Sequence, residues 1–396
     1  MKTELSNVIA SIRAINTHTH HEPDVFFEGF GLNTLLRNSY VAWCGAEFDD
    51  SQESRQKYLD LVCTKSYFVW LQKSLKSLYG FSEDLSADNW DTYSDTINNA
   101  HTRQGWRKSI LTDVCRYDRM ILDAYWYPGS DNDDTALFAP TFRIDPLFLG
   151  YSRGVEDQDG NSVYGLYGQT FDDLDVFMDF SRQLITQRVR GGCVALKNAA
   201  AYMRSLDFAP ASRDQAACAF RDPSAGNIKA FQDWFFSEVC TLAAELNVPV
   251  QCHTGLGCLD GTRAINLRSI ISRHPHTRFV IFHGGFPWTD DVLALLHFFP
   301  NVYADICWLP LLSPDTAEHT LHRMIEVATA DKISWGCDTW TAEESYGARL
   351  AVNSVLKNVL EAKVRSEYFS VVEAERLAHN ILRQNAMELY GLSQDG

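Results

Sequence analysis

Two histidines one residue apart, His18 and His20, close the run Ile12-Arg13-Ala14-Ile15-Asn16-Thr17-His18-Thr19-His20. Alternate residues of an extended strand share a face. Both imidazoles therefore project from one side of a strand end, close enough to meet a single ion at the ~2.0–2.1 Å of a zinc–nitrogen bond. Two ligands do not make a site, and paired histidines on a strand end are often only solvated or hydrogen-bonded.

The other residues able to do chemistry fall in comparable places. Lys197 follows the apolar run Cys193–Leu196, His253 follows Val248–Cys252, His283 follows Phe279–Phe282, and Asp338 follows Ile333–Gly336 with one cysteine between. Taken singly, His253 is explained as a helix cap, His283 as a core histidine, Asp338 as a solvated loop acid and Lys197 as a snorkelling surface residue. Six such groups at the ends of successive strands point instead to one constellation. Arg143, ending a strand in Thr141-Phe142-Arg143-Ile144-Asp145-Pro146, has two readings. It can bind a substrate carboxylate through two parallel hydrogen bonds, or it can form a structural ion pair with Asp145 or another acid.

The elements that position these groups recur along the chain. Short apolar runs, Met120–Leu122, Ala139–Ile144, Cys193–Leu196, Val248–Cys252, Phe279–Phe282, Val302–Ala304 and Ile333–Gly336, alternate with helical stretches. Nearly all-apolar strands belong to parallel sheets covered on both faces. With the first strand they number eight, the signature of an α/β fold of the (β/α)8 TIM-barrel type, whose chemistry sits at the carboxyl ends of the strands. Residues 21–118 lack an obvious strand. Tyr58, Leu59, Val62, Tyr67, Trp70, Leu71, Leu75 and Leu78 recur at helical spacing, and a second helical run leads through Trp106 to Val114. The expectation is one barrel over residues 1–396 with a helical insertion at 21–118 near the mouth, where Trp43 and Trp70 are candidate pocket walls. The insertion's aromatics packing on one another is the competing reading.

Composition narrows the function further. The formal net charge of −16 opposes binding to a phosphate backbone. The first residues lack the apolar run of a signal peptide, and no stretch is long and apolar enough to span a bilayer, so a cytoplasmic protein with a small-molecule substrate is expected, without nucleic-acid or membrane partners. Assembly of identical chains is allowed. The ten cysteines include no Cys-x-x-Cys pair, and several sit in apolar runs, as buried free thiols do. A nucleophile-elbow Gly-x-Ser-x-Gly and a phosphate loop are both missing, and Gly255-Leu256-Gly257 with Gly261 has its third glycine one position too far for a dinucleotide fingerprint.

His18-Thr19-His20, Lys197, the QCHTG around His253, the FHGGFPW around His283 and the GCDTW around Asp338 resemble the amidohydrolase superfamily of metal-dependent barrel enzymes. The closing NAMELYGL is similar to the end of its amidohydrolase-2 branch, and VALKNAAAYMRSLDF resembles members related to fluG-type and nodulin-like proteins. The resemblance implies that His18, His20 and His253 hold a divalent metal and that Asp338 completes the shell and shuttles a proton. It implies that His283 polarises a substrate carbonyl or binds a second ion. Lys197 is either carboxylated to bridge two ions or a free cation that binds an acidic substrate. One ion is expected, zinc by its ligands, with manganese allowed by the same set. The chemistry expected is hydrolysis of a C–N bond in a small carboxylated amide, by water made nucleophilic on the ion with Asp338 as base. The alternative within the superfamily is a decarboxylase or a uronate isomerase.

Overall fold

The computed structural model describes residues 2–392. Eight strands are hydrogen-bonded in chain order: β1 (Ala14–Thr19), β2 (Tyr117–Leu122), β3 (Phe138–Arg143), β4 (Ala195–Asn198), β5 (Val250–Cys252), β6 (Phe279–Ile281), β7 (Val302–Asp305) and β8 (Ile333–Ser334). Pairing from β3 to β8 is parallel, with helices between successive strands, which is the (β/α)8 TIM-barrel arrangement. Register aligns Arg143 with Lys197 and Lys197 with Gln251, so the polar ends of β3 to β5 stand level. β4 starts and ends two residues later than the apolar pattern suggests, which puts Lys197 inside the strand. β8 is only two residues long.

The chain divides into two compact units. One comprises Met1–Met120, Cys307–His322 and Trp335–Arg383, and the other Ile121–Ile306, Arg323–Ser334 and Gln384–Gly396. The helical segment after β1 falls in the same unit as β1 and the long helix Ala342–Arg365.

In the first unit, the segment after β1 is helical at Leu32–Arg37, Gln52–Val62, Ser66–Tyr79, Trp90–His101 and Trp106–Ser109, the last continuing as a π turn to Val114. The single periodic run from Ser54 to Tyr79 is broken at Cys63–Lys65, where Lys65 turns extended. These helices enclose a core of their own. Phe30, Tyr58, Val62, Leu71, Trp90 and Ile97 are all buried in it. The helix Ala342–Arg365 is capped by Thr341, whose side chain accepts from the Glu344 N–H, with Glu343 and Glu344 in its first turn and Lys363 and Arg365 in its last. In the second unit, Phe148, Phe177, Phe208, Phe231, Phe235 and Phe236 pack edge to face or tilted around the helix Ala225–Glu245. All ten cysteines are free thiols, and Cys115, Cys193, Cys240, Cys252, Cys307 and Cys337 are buried. No helix among the described residues is long and apolar enough to cross a membrane.

Candidate metal centre and the polar strand ends

In the first unit, β1 meets the chain that follows β8 through three backbone bonds, Thr17 N to Trp335 O, Asp338 N to His18 O (2.8 Å) and His20 N to Thr339 O (3.0 Å). Gly336 makes that approach possible: a Cβ there would stand 2.6 Å from the His18 nitrogen and 2.7 Å from Thr17 Oγ1. Two residues on, Asp338 adopts a left-handed backbone, φ +59°, which is uncommon for a residue other than glycine and costly unless its surroundings hold it. Its carboxylate is thereby turned onto the histidines. Asp338 Oδ1 lies 3.4 Å from His18 Nε2 and 3.1 Å from His20 Nε2, and all three side chains are buried.

One donor atom from each of these three residues falls within 4.8 Å of the others. Two imidazole nitrogens and a carboxylate oxygen gathered in a buried pocket are the donor set that zinc or manganese takes. The residues present therefore fit a divalent ion. Support comes from beneath: Asn16 Nδ2 donates to Cys337 Sγ while its Oδ1 accepts the Cys337 N–H, both at 2.8 Å, and Cys337 Sγ, Thr339 Oγ1 and Ser345 Oγ share further hydrogen bonds. His21 joins this network through Ser345 Oγ at 2.9 Å. Burial, then the nearby Arg107, pushes the His21 pKa well down, so it stays neutral at pH 7.

An aromatic wall flanks the trio. Trp340 stacks on His20 at 5.4 Å between centroids, Tyr40 meets Trp340 at 4.9 Å, and Trp43 lies 5.0 Å from Tyr40 and 6.2 Å from Trp340. Trp43 is 59% exposed, so one face is open to solvent. Trp70 is placed elsewhere: it sits at the meeting of helices Ser66–Tyr79 and Ala342–Arg365, with the Lys73 ammonium over its ring and its carbonyl close against Gly347. The helical segment thus divides its aromatics between its own core and this wall, and only Trp43 of the two expected tryptophans stands in the wall.

The second unit gathers the other strand ends. His283 has φ +64° and is followed by two left-handed glycines, a turn that brings its Nε2 to 2.9 Å from His253 Nδ1. Gly255 is part of the same construction, since a Cβ there would collide with the Phe286 carbonyl oxygen at 1.8 Å. That close approach, rather than nucleotide binding, accounts for glycine at this position. His253 Nε2 also makes a short contact with the Leu256 carbonyl. The Nε2 proton of His253 then goes to Leu256 O, and His283 Nε2 donates to His253 Nδ1. Both ring nitrogens of His253 are engaged inside this unit, so serving as a further metal ligand requires it to release one of them. Lys197 is buried with its ammonium 4.0 Å above the Phe282 ring.

Arg143 is paired. Its Nε and Nη2 donate to the two oxygens of Asp123 at 3.2 and 2.7 Å, and Nη1 donates to Asp159 Oδ2 at 2.5 Å. The ion-pair reading is realised, with acids other than Asp145. Burial opposes the Arg143 cation, yet the charges of Asp123, Asp145 and Asp159 raise its pKa overall. Asp145 instead accepts the Ala199 N–H through both oxygens at 3.0 Å, and loss of solvation pushes its pKa up to about 7. Asp123 follows directly on the apolar end of β2, as the other polar groups follow theirs, and that same placement marks it in the sequence. Asp159 sits mid-loop with no such mark.

The amidohydrolase family model matches residues 187–392, which is half of the chain and includes Lys197, His253, His283 and Asp338. The chain belongs to the amidohydrolase family. Among curated relatives, this amidohydrolase is 29% identical over 177 residues to protein fluG of Emericella nidulans, a match covering 42% of the chain and 20% of fluG. The chain thus corresponds to about a fifth of that longer protein. Its fold is shared with a metal-dependent hydrolase from Lactobacillus casei (18% identity, TM-score 0.71, covering 98% and 97% of the two chains). It is shared also with a uronate isomerase from Thermotoga maritima (17%, 0.76, 98% and 97%) and a glucuronate isomerase from Caulobacter crescentus (16%, 0.77, 100% and 94%).

Proposed function

We propose that this amidohydrolase is a metal-dependent hydrolase that cleaves a C–N bond of a small carboxylated amide. The observation that carries the reading is the buried trio His18, His20 and Asp338, with the aspartate held in a left-handed backbone against both imidazoles. A single divalent ion, zinc with manganese as the other choice, would be held there, and when bound it would supply Lewis acidity and a water that ionises near neutral pH. Asp338 accepts the proton of the attacking water and returns it to the departing amine. His283 donates a hydrogen bond to the substrate carbonyl, stabilising the charge that develops on it. Lys197 and Arg143 are the cations for the substrate carboxylate, which the acidic chain otherwise repels.

A second reading is isomerisation of a sugar acid. It is supported by the likeness of fold to a uronate isomerase and a glucuronate isomerase, whose TM-scores of 0.76 and 0.77 stand above the 0.71 of the metal-dependent hydrolase. Incubating the metal-loaded protein with N-acyl amino acids and with uronates separates the two. Amine or amino-acid release from the first set supports hydrolysis. Ketose formation from D-glucuronate or D-galacturonate with no hydrolysis replaces it by the isomerase reading.

A further inference from the structure

The guanidinium of Arg143 has two working edges. The Nε/Nη2 edge is filled by the fully buried Asp123 in two parallel hydrogen bonds, the strongest geometry open to an arginine. The other edge is met by Asp159 through Nη1 alone. Asp123 comes from the end of β2 and is part of the scaffold. Asp159 comes from the loop between β3 and β4, and its side chain is 19% exposed.

The loop is built to present that carboxylate. Asp157 Oδ1 accepts the N–H groups of Asp159 and Asn161, Asp157 N donates to Asn161 O, and Gly160 N donates to Asp157 O, which folds residues 157–161 into a tight turn with Asp159 at its tip. Asn161 Nδ2 ties the turn to the Tyr125 carbonyl, beyond β2. Gln158 Nε2 steadies Asp159 Oδ2 at 2.9 Å. Three tethers therefore hold one carboxylate on the outer edge of Arg143.

Charge governs which molecules can take that edge. Asp123 already balances the arginine, so Asp159 leaves this corner with negative charge in excess, to which Asp145 and Asp157 stand close. A second carboxylate arriving beside Asp159 would meet that excess in a buried, poorly screened place. A carboxylate that takes the edge while the partly exposed Asp159 side chain rotates out to solvent leaves the charge beside the guanidinium unchanged, and it can use both Nη groups where Asp159 uses one. A neutral molecule offers nothing in exchange for the lost ion pair.

We propose that Asp159 is a specificity-determining residue: an internal carboxylate that occupies the outer edge of Arg143 and yields it only to a substrate carrying its own carboxylate. The proposal rests on the reading of Arg143 as the cation for an acidic substrate. Asp159 then acts as a filter, admitting carboxylates by exchange and turning away their neutral counterparts.

Arginine-directed labelling with phenylglyoxal, tracked residue by residue by mass spectrometry, tests this on the full chain without knowledge of the substrate. In Asp159→Asn, Arg143 is expected to label about tenfold faster than in the parent, the equivalent of losing one charge-assisted hydrogen bond. In the parent, D-glucuronate and succinate should slow the labelling of Arg143 and D-glucose should not. Asn161→Ala, which keeps the carboxylate and loosens its tether, should give an intermediate rate, and guards against misfolding of the first variant. Equal labelling of Arg143 in the parent and both variants overturns the role of Asp159. Labelling of the parent's Arg143 that neither carboxylate slows overturns the exchange and, with it, the acidic-substrate reading of Arg143. Equal protection by D-glucose and D-glucuronate overturns the filter while leaving Arg143 as a ligand contact.

Discussion

Asp145 offers the sharpest test of how charge is handled around Arg143. Its carboxyl is fully buried, and loss of solvation, opposed by Arg143 and the Ala199 N–H, raises its pKa from 3.8 to about 7. Between those values the folded chain keeps a proton that the unfolded chain has released. The stabilising contribution of this group is therefore complete below 3.8 and is lost as pH rises through about 7. Integrated from about pH 5 to about pH 8, the loss is about 2–3 kcal/mol. Asp145→Asn keeps an oxygen for the Ala199 N–H and removes the titration. In urea unfolding monitored by tryptophan fluorescence, the variant should gain about 2–3 kcal/mol on the parent between about pH 5 and about pH 8, whatever its offset at the lower pH. Comparing the two proteins cancels the carboxylates of opposite sign, such as Asp118 and Asp175, whose pKa values are lowered. A gap between variant and parent that stays constant across this range would refute the account of Asp145 as a buried, half-protonated acid at neutral pH.

Asp338→Asn should keep an oxygen for the ion but lose a base, so turnover should drop by ~10²–10⁴-fold while substrate binding changes far less. Retention of metal and turnover within a few-fold of the parent would remove Asp338 as proton shuttle. Replacing His18 and His20 together by alanine should strip the divalent ion, as read by elemental analysis of the purified protein, and full occupancy in that variant would refute the site. Trp90→Ala, in the core of the helical segment, should cost ~3–5 kcal/mol of stability, and hydrogen exchange should show the loss concentrated in residues 24–114. Trp43→Ala, on an exposed ring, should leave stability within ~0.5 kcal/mol and appear instead in the Michaelis constant.

The strands are legible because burial on both faces leaves nearly unbroken apolar runs, and polar residues that end such runs stand out. That logic places His18, His20, Lys197, His253, His283 and Asp338 in the sequence. It holds equally for Asp123, whose position at the end of β2 marks it although the histidines draw more notice. What sequence cannot express is pairing. Arg143 admits a substrate or an acid as its partner, and only the folded chain, by bringing up Asp123 and a loop aspartate from residue 159, fills both edges. The left-handed conformations of His283 and Asp338 are likewise invisible in residue type, and they occur beside the close backbone approaches at Gly255 and Gly336. Trp70 shows the limit of helical periodicity, which locates a residue on a face and does not say what that face meets.

The trio that would hold the ion joins residues far apart in the sequence: Asn16 and Cys337, which brace it, are 321 residues apart. Closing so long a loop early in folding is costly in entropy, and contacts of this separation form late. A ribosome has to deliver β8 and the helix Ala342–Arg365 before His18 and His20 meet their carboxylate. The nascent chain thus carries His18 and His20 without their acid until residue 338 has been made. A product truncated before residue 338 would lack the carboxylate of this candidate centre however well its remaining strands fold.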